Sequence, residues 1–181
     1  MTADIEAARA KWKYRGETRP EFALPTRPGE ESVWDYPRPP RLEQDARWVR
    51  VMWQSNVIAE TRNAYRVLET ASPPVFYVPP VDTDTSVLVE SSGSSLCEWK
   101  GVARYWSLQH DNVQIDQVAW SYPEPFAEFV AMRDHYGFYP ARVECYVDNQ
   151  HVAPQPGGFY GGWVTAEVVG PFKGEPGTSS W

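Results

Sequence analysis

The chain has 181 residues and a formal net charge of −7, and 14% of its residues are aromatic. Its 17 prolines would interrupt long helices and so exclude a coiled coil or a helical bundle, and its two cysteines exclude a zinc-finger array. The acidic charge disfavours binding to the phosphates of nucleic acids, so no nucleic-acid partner is predicted.

The first elements predicted along the chain are a short helix and an extended arm. Ile5, Ala8 and Trp12 lie at helical spacing and define one apolar face of a helix over residues 3–13. Six prolines in the next part of the chain argue against regular structure there. Residues 1–46 are therefore predicted to form an N-terminal helix and an extended arm.

The sequence shows neither a secretory signal nor a membrane span. Its first residues lack a basic start followed by an apolar run. Its apolar runs are far shorter than the ~18 residues that a transmembrane helix needs. Both observations predict a cytosolic protein with no membrane partner, in which the two cysteines stay reduced.

From residue 47 the pattern becomes that of a mainly β core domain over 47–147. Residues 47–53 and 57–60, separated by turn residues, predict a hairpin. Further strands are predicted at 64–69, 75–78, 86–90, 102–108, 112–115, 117–122, 142–147 and 151–153. Strands at a spacing of about ten residues with turn signals between them fit a sandwich, a barrel or a coiled sheet.

One short helix is predicted to interrupt the strands, over residues 125–136. Pro125 suits its first turn, apolar residues follow at helical spacing, and Gly137 ends it. The C-terminal extension, residues 148–181, is rich in glycine and proline but carries five aromatic rings, so it is expected to pack on the core. Its glycines are interpreted as tight turns that place three of these rings against the core: Phe159, Tyr160 and Trp163.

Two of the predicted strands carry rings on one face. Because side chains alternate along a strand, Ala103 and Tyr105 share a face, as do Trp120 and Tyr122. The small Ala103 leaves room beside its neighbouring ring. Such rings could enclose a gap suited to a flat apolar ligand, or to a cation over the ring faces. A solid aromatic core is the alternative.

Two pairs of polar residues are candidates for chemistry. Glu69 at a strand end and Lys100 beside Trp99 could bind a ligand or act as acid and base, and a buried lysine could also act as a nucleophile. The alternative is a structural ion pair between two strands. Cys97 and His135 are the second pair, a thiol and an imidazole that could act together in catalysis. The alternative is that Cys97 is a buried thiol without a catalytic role and that His135 stabilises the end of a helix. The spacing of the histidines and cysteines matches no metal site, so neither a metal nor another cofactor is predicted.

Five motifs occur in order between residues 59 and 139 and carry a resemblance to a known family. They are Val-Leu-Glu at 67–69, Tyr-x-Pro-Pro at 77–80, Cys-x-Trp-Lys-Gly-x-Ala-x-Tyr at 97–105, Ala-Trp-x-Tyr-Pro-x-Pro at 119–125 and His-x-x-Phe at 135–138. In these motifs the chain resembles the bacterial and fungal domain-of-unknown-function family 427, which is also labelled nucleotidyltransferase-like. Residues 31–40, 155–164 and 170–174 resemble the flanks of its longer members.

The resemblance implies a β-tent, or Mss4-like, fold of coiled antiparallel sheets. Other branches of that fold bind zinc through paired Cys-x-x-Cys motifs, which this sequence lacks. The family supplies no reaction, and its transferase label has no mechanism in the quoted residues. Function therefore has to be argued from a site.

Three functional hypotheses follow from these residues. The first is a small-molecule-binding module whose pocket contains nine candidate residues: Glu69, Tyr77, Cys97, Trp99, Lys100, Tyr105, Trp120, Tyr122 and His135. The second is an enzyme in the same pocket that uses Glu69 and Lys100, with Cys97 and His135 as a further pair. The third is an interaction or self-association module whose extended arms dock a partner or form a homo-oligomer. In the first two, the arms are expected to cover the core or to roof the pocket.

Overall fold

Short strands dominate the chain because β-branched and aromatic residues alternate with turn residues through most of its length. The computed structural model describes residues 2–181. Its helix and strands are α1 (Thr2–Ala10), β1 (Glu31–Ser32), β2 (Arg41–Asp45), β3 (Val49–Trp53), β4 (Asn56–Thr61), β5 (Ala64–Glu69), β6 (Ser72–Val78), β7 (Leu88–Cys97), β8 (Gly101–His110), β9 (Val113–Ser121), β10 (Tyr136–Phe138), β11 (Glu144–Val147), β12 (Gln150–His151), β13 (Ala153–Pro154), β14 (Trp163–Val164) and β15 (Val168–Val169). Short 3-10 helices lie at Val33–Asp35, Pro80–Asp82, Thr85–Val87 and Ala127–Met132. The predicted mainly β class is confirmed, with 42% strand and 13% helix.

Two antiparallel sheets form the body of the protein. The larger has seven strands in the order β2-β5-β6-β10-β9-β8-β7, and the smaller has four in the order β12-β11-β3-β4. Two further pairs, β1-β15 and β13-β14, join the ends of the chain to these sheets. Within residues 2–181 no sheet closes into a barrel, and no helix there is long and apolar enough to cross a membrane.

The main hydrophobic core contains side chains of both larger sheets. Val51 of β3, Val118 of β9 and Phe138 of β10 are buried in it, together with Trp163 of the C-terminal extension. The alternation of side chains divides β6 between two clusters, because Phe76 and Val78 enter this core whereas Tyr77 does not. Tyr77 belongs to a second group, here called the aromatic cluster: Val67, Tyr77, Trp99, Ala103, Trp120, Tyr122, Phe129 and Met132.

The region before residue 47 is more regular than predicted. Arg41–Asp45 forms β2, which pairs with β5 along the edge of the seven-stranded sheet. No proline follows Pro40 in this segment, so its backbone N–H groups are free to join the sheet. The part before β2 packs with the C-terminal extension, since β1 pairs in parallel with β15 and Trp34 lies against Trp181.

The helix predicted over residues 125–136 is present as a shorter 3-10 helix at Ala127–Met132. Its buried residues, Phe129 and Met132, are three positions apart, which is the repeat of a 3-10 helix, and Val130 is exposed instead of facing the core. The residues after it are needed for β10, which lies between β6 and β9. Pairing in the sheet therefore limits the length of this helix.

Candidate functional site

A cavity of about 270 Å³ is lined by side chains of the aromatic cluster. Strands β5, β6, β8 and β9 and the turn between β7 and β8 supply much of its wall. Eight of the nine candidate residues line this cavity: Glu69, Tyr77, Cys97, Trp99, Lys100, Tyr105, Trp120 and Tyr122. The ninth, His135, does not line it.

Strand pairing explains why the rings converge. Tyr105 of β8 lies directly opposite Trp120 of β9 in the antiparallel ladder. Gly137 of β10 lies opposite Tyr77 on one side and opposite Trp120 on the other. A Cβ on Gly137 would lie 2.7 Å from Cζ2 of Trp120, so glycine allows the indole to lie against this strand. From there the indole Nε1 donates a 3.1 Å hydrogen bond to the Tyr77 hydroxyl.

The C-terminal extension contacts the same indole through a second glycine. A Cβ on Gly161 would lie 2.6 Å from Cζ3 of Trp120 and closer still to Cη2. The ring of Tyr139 packs on Trp120 at a centroid distance of 4.5 Å, and Trp120 is only 6% exposed. These contacts hold the indole in one orientation.

An ion-pair network lines part of the cavity. Lys100 Nζ lies 3.9 Å from Glu69 Oε2, and Arg38 donates hydrogen bonds of 3.3 and 3.2 Å to Glu69 Oε1 from Nε and Nη2. Burial alone would lower the pKa of Lys100, but the neighbouring Cys97, Tyr77 and Glu69 together raise it above its ordinary value. At neutral pH the Glu69 carboxylate is the charge that stabilises the Lys100 ammonium, whereas Tyr77 is a neutral phenol because burial raises its pKa to about 12.

A second lysine, Lys173 of the C-terminal extension, also lines the cavity and is only 2% exposed. Its Nζ lies 3.4 Å from the ring centroid of Trp12 and 5.2 Å from that of Tyr160. Burial lowers the pKa of Lys173 to about 8, with Glu69 opposing this shift and Arg38 adding to it. The cavity thus contains two lysines whose pKa values are shifted in opposite directions.

Comparison with known families identifies the central part of the chain. The sequence model of a family described as a domain of unknown function, DUF427, matches residues 41–149. The chain belongs to the DUF427 family. No curated protein matches the chain. The eight candidate residues in the cavity wall all fall inside the match, whereas Lys173 falls outside it.

The segments that flank the DUF427 domain complete the cavity. Trp12, just after α1, donates a hydrogen bond of 2.6 Å from Nε1 to Glu98 Oε1, and Arg9 donates one of 2.7 Å to the Glu98 carbonyl oxygen. In the C-terminal extension Tyr160 is half-buried, but Phe159 is 72% exposed, so the expectation that Phe159 packs against the core is wrong. The phenyl ring still contributes to the cavity wall, at its solvent-exposed side.

The DUF427 domain does not bring Cys97 and His135 together. Cys97 is a free, partly exposed thiol in the cavity wall. The His135 ring lies 5.6 Å from that of Tyr65, and its Nδ1 lies 3.0 Å from the Arg133 carbonyl oxygen. Among residues 2–181, no group of three or more His, Cys, Asp or Glu side chains is arranged to hold a metal ion.

Several lining residues with rings or charges lie outside the candidate set: Trp12, Glu98, Tyr139, Phe159, Tyr160 and Lys173. Some of them had a signal in the sequence. Tyr139 directly follows the His-x-x-Phe motif, and Lys173 lies in the Gly-Pro-Phe-Lys-Gly segment that resembles the longer family members. No pattern in the sequence around Trp12 indicates that its ring contacts Lys173, which lies 161 positions further along the chain.

Proposed function

We propose that this DUF427 protein binds a small, flat organic ligand, neutral or anionic, in the aromatic cavity. The observation that carries this proposal is the convergence of rings and a few charged groups on one cavity of about 270 Å³. Ligand pockets typically combine apolar and aromatic walls with a small number of polar groups, over roughly 300–1,000 Å³. The cavity lies near the lower end of that range, so the proposed ligand has one ring system.

The orientation of Trp120 supports a flat ligand. Its indole is held by Gly137, Gly161 and the Tyr77 hydroxyl before any ligand binds. A wall that is already ordered costs less conformational entropy on binding than one that has to become ordered. An ordered aromatic ring in the cavity wall favours a planar partner.

The charges of the cavity disfavour a cationic ligand, the other option that its rings suggested. Lys100 is an ammonium, and the ring of Trp12 already interacts with Lys173. A ligand cation would be repelled by both lysines, and the two carboxylates of the wall are already engaged, Glu69 by Arg38 and Lys100 and Glu98 by a hydrogen bond from Trp12. A carboxylate or a neutral carbonyl group would be attracted by the lysines. Arg38 and Lys100 already engage the Glu69 carboxylate, which does not favour Glu69 as a catalytic base.

The test is a titration of tryptophan fluorescence and thermal stability with three sets of one-ring fragments of equal size: aromatic carboxylates, neutral amides and amines. The carboxylates or the amides should quench fluorescence and stabilise the fold, and Trp120→Phe should weaken both effects. Trp48→Phe, outside the cavity, is the matched control and should leave binding unchanged. Preferential binding of the amines, or equal binding by both variants, would contradict the proposal.

Homo-oligomer formation through the arms stays a prediction. Arm residues such as Trp34 and Tyr36 are already buried within one chain, so their rings serve the fold.

A further inference from the structure

Lys173 has an unusual environment for a lysine side chain. The residue is only 2% exposed and lines the cavity, and among the described residues Nζ has neither a carboxylate within 4.0 Å nor a hydrogen-bond acceptor, so its polar contacts are left to the cavity space. A buried cation without an acceptor is costly, and the group responds by favouring its neutral form. By contrast, Lys100 has Glu69 as a partner.

The main chain of Lys173 is held in place by three contacts. Its N–H donates a 2.7 Å hydrogen bond to the Ala71 carbonyl oxygen, and its own carbonyl oxygen accepts one of 2.7 Å from Gln155 Nε2. The next residue, Gly174, passes so close to Pro156 that a Cβ there would overlap the Pro156 carbonyl group. The side chain therefore starts from an ordered backbone and is directed to the cavity.

The surroundings of Lys173 raise its share of neutral amine above that of an exposed lysine. The Trp12 ring beside Nζ favours the ammonium, but the Arg38 guanidinium, 4.5 Å from the centroid of the same ring, opposes it with like charge. The groups that act on Lys173 are Arg38, Glu69 and Glu98. With a pKa of about 8, roughly a quarter of this amine is neutral at pH ~7.5, about two hundredfold more than for an exposed lysine.

We propose that Lys173 is a carbonyl-reactive amine that forms an imine with a flat aldehyde or ketone bound in the cavity. This inference rests on the proposed function, because the cavity has to accept the carbonyl compound first. The lone pair of neutral Nζ adds to the carbonyl carbon, the two amine protons pass to the carbonyl oxygen, and that oxygen leaves as water. A C=N bond replaces the C=O bond, so no oxidant or reductant is needed. The Lys100 ammonium supplies positive charge to the same cavity while negative charge develops on the oxygen.

To test this, the protein is incubated with 4-carboxybenzaldehyde, and any imine that forms is reduced to a stable secondary amine with cyanoborohydride. Peptide mapping by mass spectrometry then measures the labelling rate at each lysine. Lys173 should be labelled about tenfold faster than the exposed Lys11 and Lys13, with a pH midpoint near 8. Lys173→Arg should lose this fast labelling, whereas Lys13→Arg should keep it. Because the wild-type map compares lysines within one molecule, the result does not depend on how well a variant folds.

The outcomes separate the two proposals. If the aldehyde quenches tryptophan fluorescence in a Trp120-dependent way but Lys173 is labelled no faster than Lys13, the imine inference is wrong and the proposed function stands. If neither the aldehyde nor the carboxylate and amide fragments bind the cavity, the proposed function fails as well. Fast labelling of Lys173 that the non-reactive analogue 4-methylbenzoate suppresses would support both.

Discussion

Replacing Gly161 with alanine tests whether the C-terminal extension positions Trp120. The added Cβ would lie 2.6 Å from Cζ3 of the indole and closer to Cη2, whereas carbon atoms in contact prefer ~3.5–4.0 Å. The indole cannot simply rotate away, because Gly137 approaches the same ring and Nε1 is hydrogen-bonded to Tyr77. Either the extension or the ring therefore has to move by about 1 Å.

Inserting one methyl group into a well-packed site of this kind costs about 1–3 kcal/mol. We expect Gly161→Ala to lower the free energy of unfolding by about 2 kcal/mol, since Trp120 is nearly buried and held on several sides. The smaller ring of Trp120→Phe vacates the space near Cη2. In the double variant the alanine should therefore cost about 1 kcal/mol less than it does in the wild type.

Urea unfolding followed by far-UV circular dichroism gives these free energies, and an unchanged slope would show that the unfolded state is comparable. Gly158→Ala is the control, because a Cβ there meets open space and only its left-handed backbone, with φ of +69°, is strained. Its cost should be the same with and without Trp120→Phe. The reasoning is refuted if Gly161→Ala is neutral, or if its cost and that of Trp120→Phe simply add.

Three further predictions concern buried polar groups. Glu69→Gln leaves the cations of Arg38 and Lys100 without their carboxylate, so it should lower the free energy of unfolding in urea by about 2–3 kcal/mol. A loss below about 0.5 kcal/mol would mean that the network behaves like a surface ion pair. The pKa of Lys173, about 8, lies below the ~10.4 of an unfolded lysine, so the unfolded chain binds more protons between these values and stability rises with pH. Between pH ~7.5 and ~9.5 the free energy of unfolding of the wild type should therefore rise by about 2 kcal/mol relative to that of Lys173→Met. Parallel stability profiles of the two proteins over this pH range would contradict the lowered pKa of Lys173. Trp163→Phe removes a 3.0 Å hydrogen bond from a fully buried indole to a backbone carbonyl. It should lower the free energy of unfolding, measured by thermal unfolding, by about 2–3 kcal/mol. If a water molecule replaces the donor, the loss stays near 1 kcal/mol.

Local patterns predicted the parts of the site that lie on regular strands. Alternation placed Tyr105 on the same face as Ala103, and both line the cavity. Alternation also placed Trp120 and Tyr122 together, although β9 contains an irregular position at Gln117, with φ of 49°. Such shared faces follow from the sequence because a strand imposes its own geometry on successive side chains, whatever the rest of the chain does.

Contacts between distant segments could not be predicted in this way. Trp12 and Lys173 meet through the packing of two flanking segments on the sheet, and no pattern within either segment records that meeting. The same limit explains His135, since its motif affects the cavity through Gly137, which packs against Trp120, instead of through the imidazole. The sequence shows that residues 137 and 161 are glycines, but only the position of the Trp120 indole shows why a side chain is excluded at both positions.

The contact between Trp12 and Lys173 has a kinetic consequence. It joins residues on both flanks of the DUF427 domain, so the cavity is complete only when both flanks are docked. Peripheral segments usually open more often than central strands do, without unfolding of the whole domain. Binding and release of the proposed ligand should therefore follow the rate at which these flanks open. A bound ligand should slow amide hydrogen exchange around Trp12 and Lys173 but leave the exchange rates of the sheet unchanged. Occupancy of the cavity and order at the two flanks then become one coupled equilibrium.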